Sequence, residues 1–119
     1  MAAAAQFVAH YYTTFDADRA NLAGLYRENS MLTFESSQAM GVKSISEKLV
    51  GLPFQKVKHE ASAVEAQPTP NDGILILVTG HLMVDEEQRP LGYSQAFQLY
   101  KDPAGQWFVY NDIFKLIFA

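Results

Sequence analysis

The chain contains no cysteine, which removes disulfides, thiolate metal sites and a cysteine nucleophile from consideration. Positive charge is scarce as well: nine Lys and Arg stand against thirteen Asp and Glu, for a net charge of −4, and the basic residues form no cluster. Such a surface offers phosphates no attractive field, so nucleic acid is not an expected partner. No apolar run approaches the roughly eighteen residues of a membrane helix, and Met1 followed by Ala2–Ala5 has neither the basic start nor the long apolar segment of a secretory leader. The reading is a soluble intracellular protein with no membrane contact. There is no repeat or linker, and 119 residues at 49% hydrophobic content make one domain, 1–119, with a single core.

What is present centres on Gly73–Glu87, G-I-L-I-L-V-T-G-H-L-M-V-D-E-E. The apolar run Ile74–Val78, interrupted by Thr79-Gly80 and resumed at Leu82-Met83-Val84, predicts a long strand buried on both faces. A chain this short covers one face of a sheet with its own helices, so the other face calls for a second subunit or a wide pocket. The carboxylates Asp85-Glu86-Glu87 cannot be buried unpaired and mark the point where the strand leaves the core, an acidic rim beside apolar ground.

Before this strand, Phe7, Val8, Tyr11, Tyr12 and Phe15 share one face of a helix from about Ala2 to Phe15. Asp16 or Asp18 can cap a short second helix through Leu22, Leu25 and Tyr26, ended by Glu28-Asn29-Ser30. Met31–Glu35 reads as a short strand and Ser36-Ser37-Gln38 as the loop after it. Gly41 opens a helix with the stripe Val42, Ile45, Leu49 and Leu52, with a possible capping box from Ser44 to Glu47 and a stop at Pro53. Val57, His59, Ala61 and Ala63 then alternate with polar residues, as in a one-sided strand. Pro68 to Gly73 is a turn, and after Gln88-Arg89-Pro90 the segment Leu91–Tyr100 puts Tyr93, Gln95, Phe97 and Leu99 on one face. In Gln106–Phe118, the residues Phe108, Tyr110, Phe114, Leu116 and Phe118 alternate with Trp107, Val109 and Ile113, apolar on both phases. Helices first and an antiparallel meander afterwards make an α+β domain.

The words Tyr11-Tyr12-x-x-Phe15-Asp16, Leu25-Tyr26, Met31-Leu32-Thr33-Phe34-Glu35, Leu52-Pro53-Phe54-Gln55-Lys56, Gln67-Pro68 and Asn111-Asp112-Ile113-Phe114 occur in an order and spacing that resembles the nuclear transport factor 2 family. The resemblance spans nearly the whole chain. It implies a cone-shaped α+β fold of the cystatin-like kind, with a curved antiparallel sheet wrapped round N-terminal helices, and a homodimer formed by the sheets. It also implies the family's task, which is to carry the GDP-bound form of the small GTPase Ran into the nucleus through pores lined by Phe-Gly repeat nucleoporins. By position, an apolar cavity for an aromatic side chain of Ran includes Phe34, Leu52, Phe54, Val57, Leu82, Val84 and Phe114, and an acidic mouth comprises Glu35, Asp85 and Glu87. His59, Leu77 and Ile113 fall to the dimer interface. Location in cytoplasm and nucleus, with enrichment at the nuclear envelope, follows from the same task. One departure is visible: family members carry an aromatic just ahead of the first helix that helps bind Phe-Gly repeats, whereas only alanines and Gln6 precede Phe7 here.

The rival reading is an enzyme, because this cone fold also hosts isomerases and dehydratases. That chemistry needs ionisable groups converging on a buried pocket, and Asp16, Tyr12 and Tyr26 are the inward candidates, with Asp16 better explained as a helix cap. A bare dimerisation module would share the fold and lack the acidic mouth. No cofactor or metal is expected, since His10, His59 and His81 have no ligand-like spacing.

Overall fold

The computed structural model describes residues 2–86 and 89–117, so Glu87, Gln88 and Phe118 lie outside the described residues. The elements are α1 (Ala2–Ala17), a 3₁₀ helix (Arg19–Leu25), β1 (Tyr26–Phe34), β2 (Ser37–Met40), α2 (Val42–Val50), β3 (Val57–Thr69), β4 (Gly73–Val84), β5 (Leu91–Lys101) and β6 (Trp107–Ile117). Six strands form one curved sheet in the order β2-β1-β6-β5-β4-β3, which wraps the helices on its inner side. The α+β cone is therefore present, with one difference from an antiparallel sheet. β1 runs parallel to β6, because the returning hairpin β1–β2 and the helix α2 bring the first strand alongside the last.

α1 buries Ala4, Val8, Tyr11, Tyr12 and Phe15, the i, i+4, i+7, i+8, i+11 stripe of a helix pressed onto a sheet. Its rings meet β5 edge-on, with Phe7 and Tyr11 at 5.3 and 4.9 Å from Phe97. Asp18, not Asp16, caps the 3₁₀ helix, its carboxylate accepting from the Ala20 amide at 3.1 Å. Tyr26 to Ser30 is strand rather than helix end. The pairing of β1 with β6 is irregular between Tyr26 and Met31, and the Ser30 hydroxyl fills that gap by accepting from Arg27 N at 2.8 Å and donating to the Val109 carbonyl. α2 starts at Gly41 with no side-chain cap, so Ser44 sits inside the helix and the expected capping box does not form; Leu52 lies beyond its end.

Two extra residues change which side chains face the core. In β3, Ala61 pairs with Gly80 and Ala63 with Thr79, leaving Ser62 bulged. Val57 and His59 point inward before the bulge and Val64 and Ala66 after it, so Ala61 and Ala63 are exposed rather than continuing the inner row. Gly80 makes the bulge possible: a Cβ there would stand 2.2 Å from the Glu60 carbonyl oxygen. In β6, Val109 pairs with Leu99 and Asn111 with Gln98, so Tyr110 is the extra residue. The inward set becomes Val109, Asp112 and Phe114, and Tyr110 does not share a face with Phe114.

β4 lies one strand in from the edge, and its two faces differ. Ile74, Ile76, Val78 and Leu82 are buried in the core, while Leu75, Leu77 and Met83 stay 41–47% exposed within this chain. On β6, Ile113 and Ile117 are 53% and 52% exposed on the same outer side. The helices cover only the inner face.

Candidate functional site

At one end of the sheet the helices leave the inner face open, and a cavity of about 470 Å³ forms there. Its wall contains Phe34, Leu52, Phe54, Leu82, Val84 and Phe114, six of the seven positions expected. Val57 is buried on β3 opposite Val84 and does not reach the cavity. Phe34 and Phe114, paired across the parallel strands β1 and β6, stack with ring centres 4.6 Å apart. Sequence reasoning missed Phe15, Pro53, Leu91 and Leu116 of the wall, Ser37 and Lys48 beside the acidic Glu35, and His59.

Glu35 reaches the cavity because β1 ends at Phe34. Glu35 and Ser36 form the two-residue turn into β2, both with positive φ, 52° and 73°. That conformation costs a residue other than glycine about 1 kcal/mol or more and must be held by its surroundings. Here the backbone N–H of Glu35 donates to the Phe114 carbonyl at 3.1 Å and its carboxylate accepts from the Leu116 amide. The turn thus removes the strand alternation that would have sent Phe34 and Glu35 to opposite faces, and both line one cavity.

Asp85 follows Val84 at the end of β4 but is not part of the lining. Its carboxylate accepts from the Gln55 and Lys56 amides at 2.9 Å each, and its own N–H donates to the Lys56 carbonyl at 2.8 Å. Those two backbone donors hold the carboxyl below the usual range, so it stays charged. From the other side Arg19 donates to the Phe54 carbonyl at 2.8 Å and lays its guanidinium 4.9 Å from the Phe54 ring. The segment 51–56, which brings Leu52, Pro53 and Phe54 to the cavity, is therefore gripped from two sides at residues 54–56. Asp85 is a clamp as well as a charge near the rim, and Glu87 lies outside the described residues.

His59 does not face a second subunit. Its side chain is 3% exposed, stacked on Tyr12 at 4.3 Å and set edge-on against Phe15 and Tyr93. Asp16 grips it twice, at Nδ1 (2.7 Å) and at the backbone N–H (2.9 Å), which ties the end of α1 to the start of β3. This role replaces the helix cap expected of Asp16.

Deeper in the core lies a polar network that sequence reasoning did not assign. Asp112 is fully buried and accepts from Tyr26 (2.8 Å), Tyr11 (3.1 Å) and Gln95 (2.7 Å), while Tyr12 donates to Gln95 Oε1 at 2.8 Å. Burial pushes the Asp112 carboxyl up to about 6, with the three donors pulling the other way. Desolvation first, then the neighbouring carboxylate, raises both Tyr11 and Tyr26. None of Asp16, Tyr12, Tyr26 and Asp112 lines the cavity; the ionisable side chains in its lining are Glu35, Lys48 and His59.

On the outer side, Leu77, Ala96 and Ile113 stand in one row across β4, β5 and β6. Gly92, Ser94 and Ala96 present small groups along the middle strand, so apolar side chains flank a shallow trough. A wider and more open depression, about 670 Å³, lies around His81, Gly92 and Ile117 at one end of this face.

The match to known proteins agrees with this geometry. A profile of the Nuclear transport factor 2 (NTF2) domain fits residues 3–116. Nuclear transport factor 2 of Neurospora crassa is 71% identical over 116 residues, covering 98% of this chain and 94% of that one. The Saccharomyces cerevisiae protein of the same name is 50% identical over 117 residues, covering 98% and 93%. The solved structure of nuclear transport factor 2 from Cryptosporidium parvum superposes with a TM-score of 0.91 at 42% identity, covering 96% of this chain and 91% of that one. The chain belongs to the nuclear transport factor 2 family, and its work is nuclear transport rather than enzymatic chemistry.

Proposed function

We propose that this protein binds Ran in its GDP form and carries it into the nucleus through pores lined by Phe-Gly repeat nucleoporins. It moves between cytoplasm and nucleus, collects at the nuclear envelope, and acts as a homodimer joined through the outer faces of the two sheets. One observation carries the reading: an aromatic cavity of about 470 Å³ has Phe34 in its wall and Glu35, on the very next turn residue, at the same cavity. That arrangement suits an aromatic side chain flanked by basic residues. The aromatic gains from burial, and a matched Lys or Arg offsets the water that Glu35 loses when the partner docks. Asp85 adds negative potential beside the mouth. Homodimerisation is supported by the outer row Leu77, Ala96 and Ile113, in which Leu77 and Ile113 are exposed within this chain.

The test is calorimetric titration with Ran loaded with GDP or GTP. Wild type is expected to bind the GDP form and to bind the GTP form poorly. Glu35→Lys is expected to abolish binding with fold and dimer intact, and Phe34→Ala to weaken it roughly tenfold or more. Equal affinity for the two nucleotide forms would remove the carrier reading.

A further inference from the structure

The cavity is apolar except at a few points, and His59 is the polar side chain that the core itself fixes there. Its orientation is set by Asp16, which does not line the cavity, and by the parallel stack on Tyr12. A carboxylate only accepts, so the 2.7 Å contact with Asp16 places the imidazole proton on Nδ1. The opposite edge of the ring then turns toward the cavity. Nε2 on that edge has no hydrogen-bond partner among the described residues and is not sealed from solvent as a buried unsatisfied atom. In the neutral ring, Nε2 is a lone-pair acceptor, fixed by two neighbours, in a cavity whose other polar lining residues are Glu35, Ser37 and Lys48 and whose remaining wall is phenylalanine, leucine, valine and proline.

We propose that this cavity is also a binding site for hydroxyaryl groups, with the ring among Phe34, Phe54, Leu82 and Phe114 and the hydroxyl donating to His59 Nε2. The chemistry sets the preference. In a purely apolar cavity a phenol loses to toluene, because its hydroxyl gives up water and receives nothing. An acceptor at the right place reverses that order. The volume of about 470 Å³ is ample, since an apolar cavity of roughly 150 Å³ already takes a benzene ring. A free phenolic molecule and the tyrosine of a protein present the same group. The inference depends on the cavity and not on which protein partner docks over it.

The full chain, at pH 8 where an imidazole is ordinarily neutral, is titrated with p-cresol and with toluene, which differ only by the hydroxyl. p-Cresol is expected to bind about three- to tenfold more tightly. The ¹⁵N resonance of His59 Nε2 is expected to shift upfield with p-cresol and to stay in place with toluene. In His59→Phe the order is expected to reverse, with toluene preferred about tenfold or more. Should that variant fail to fold, the ¹⁵N measurement on the wild type decides alone. A third titration, with a capped Gly-Tyr-Gly peptide, separates sources: binding of p-cresol alone assigns the site to free small molecules, and binding of both extends it to a protein tyrosine. Toluene binding as tightly as p-cresol, absence of p-cresol binding, or an unmoved Nε2 resonance would each overturn the proposal, and none of them bears on Ran binding.

Discussion

Replacing Asp112 by Asn is expected to flatten the dependence of folding stability on pH between about pH 4 and about pH 6. The carboxyl is fully buried and burial raises it from 3.8 to about 6. A folded-state value above the unfolded one means that, between the two, the folded chain binds the proton that the unfolded chain has released. Stability from this group therefore falls as pH rises through that window, and the loss is complete above about pH 6. Two pH units at about 1.4 kcal/mol each give a penalty of about 3 kcal/mol at neutral pH, an order-of-magnitude figure. Asn keeps an oxygen for the hydroxyls of Tyr11 and Tyr26, but its amide nitrogen meets Gln95 Nε2, donor against donor, while Gln95 Oε1 is committed to Tyr12. That conflict costs stability equally at every pH, so the slope and not the height of the curve carries the information. Urea unfolding of both proteins at pH 4, 5, 6 and 7, at one protein concentration because the unfolding of any oligomer depends on it, gives the two curves. Parallel curves would show that Asp112 does not titrate in this window and that its desolvation is offset by the three donors.

Ile113→Asp places a carboxylate at the β6 end of the outer row Leu77, Ala96 and Ile113, at a cost of several kcal/mol once a second sheet covers it, and is expected to give a folded monomer by sedimentation where the wild type is expected to be a dimer. A wild type that sediments as a monomer at micromolar concentration would reject that interface. Asp85→Asn keeps an oxygen for the Gln55 and Lys56 amides and removes only the charge, so it is expected to weaken GDP-Ran binding at low salt and much less at moderate salt. Asp85→Ala removes the clamp too, and is expected to weaken binding at both salt concentrations; identical salt profiles for the two variants would show that the clamp does not shape the cavity.

Much of the fold is legible because its signals are local. The α1 stripe needs only the helical period, and the strands β4 and β5 need only alternation within an apolar run. β4 looked buried on both faces because Leu75, Leu77 and Met83 are as apolar as Ile74, Ile76 and Val78, and nothing local says which face this chain covers itself. The parallel pairing of β1 with β6 joins residues about eighty positions apart, and no window of sequence contains it.

The site divides along the same line. Its walls are large apolar side chains, six of which stand at positions the family resemblance names, whereas the polar groups are harder to place from sequence. Glu35 reaches the cavity only because a turn with positive φ replaces the strand at that residue. Asp112 shares the inward phase of Phe114 by plain alternation, and the extra residue Tyr110 in β6 brings Val109 onto that face as well; nothing local says that an aspartate there is buried. Asp16, two residues from the aspartate that does cap, has the composition of a cap and the position of a histidine partner, and only the approach of β3 distinguishes the two. Irregular backbone is where a protein departs from the most stable local choice, and here one such departure, at Glu35, brings a carboxylate to the aromatic cavity that His59 also lines. A mutation that restored regularity would accordingly do more harm to recognition than its effect on folding suggests.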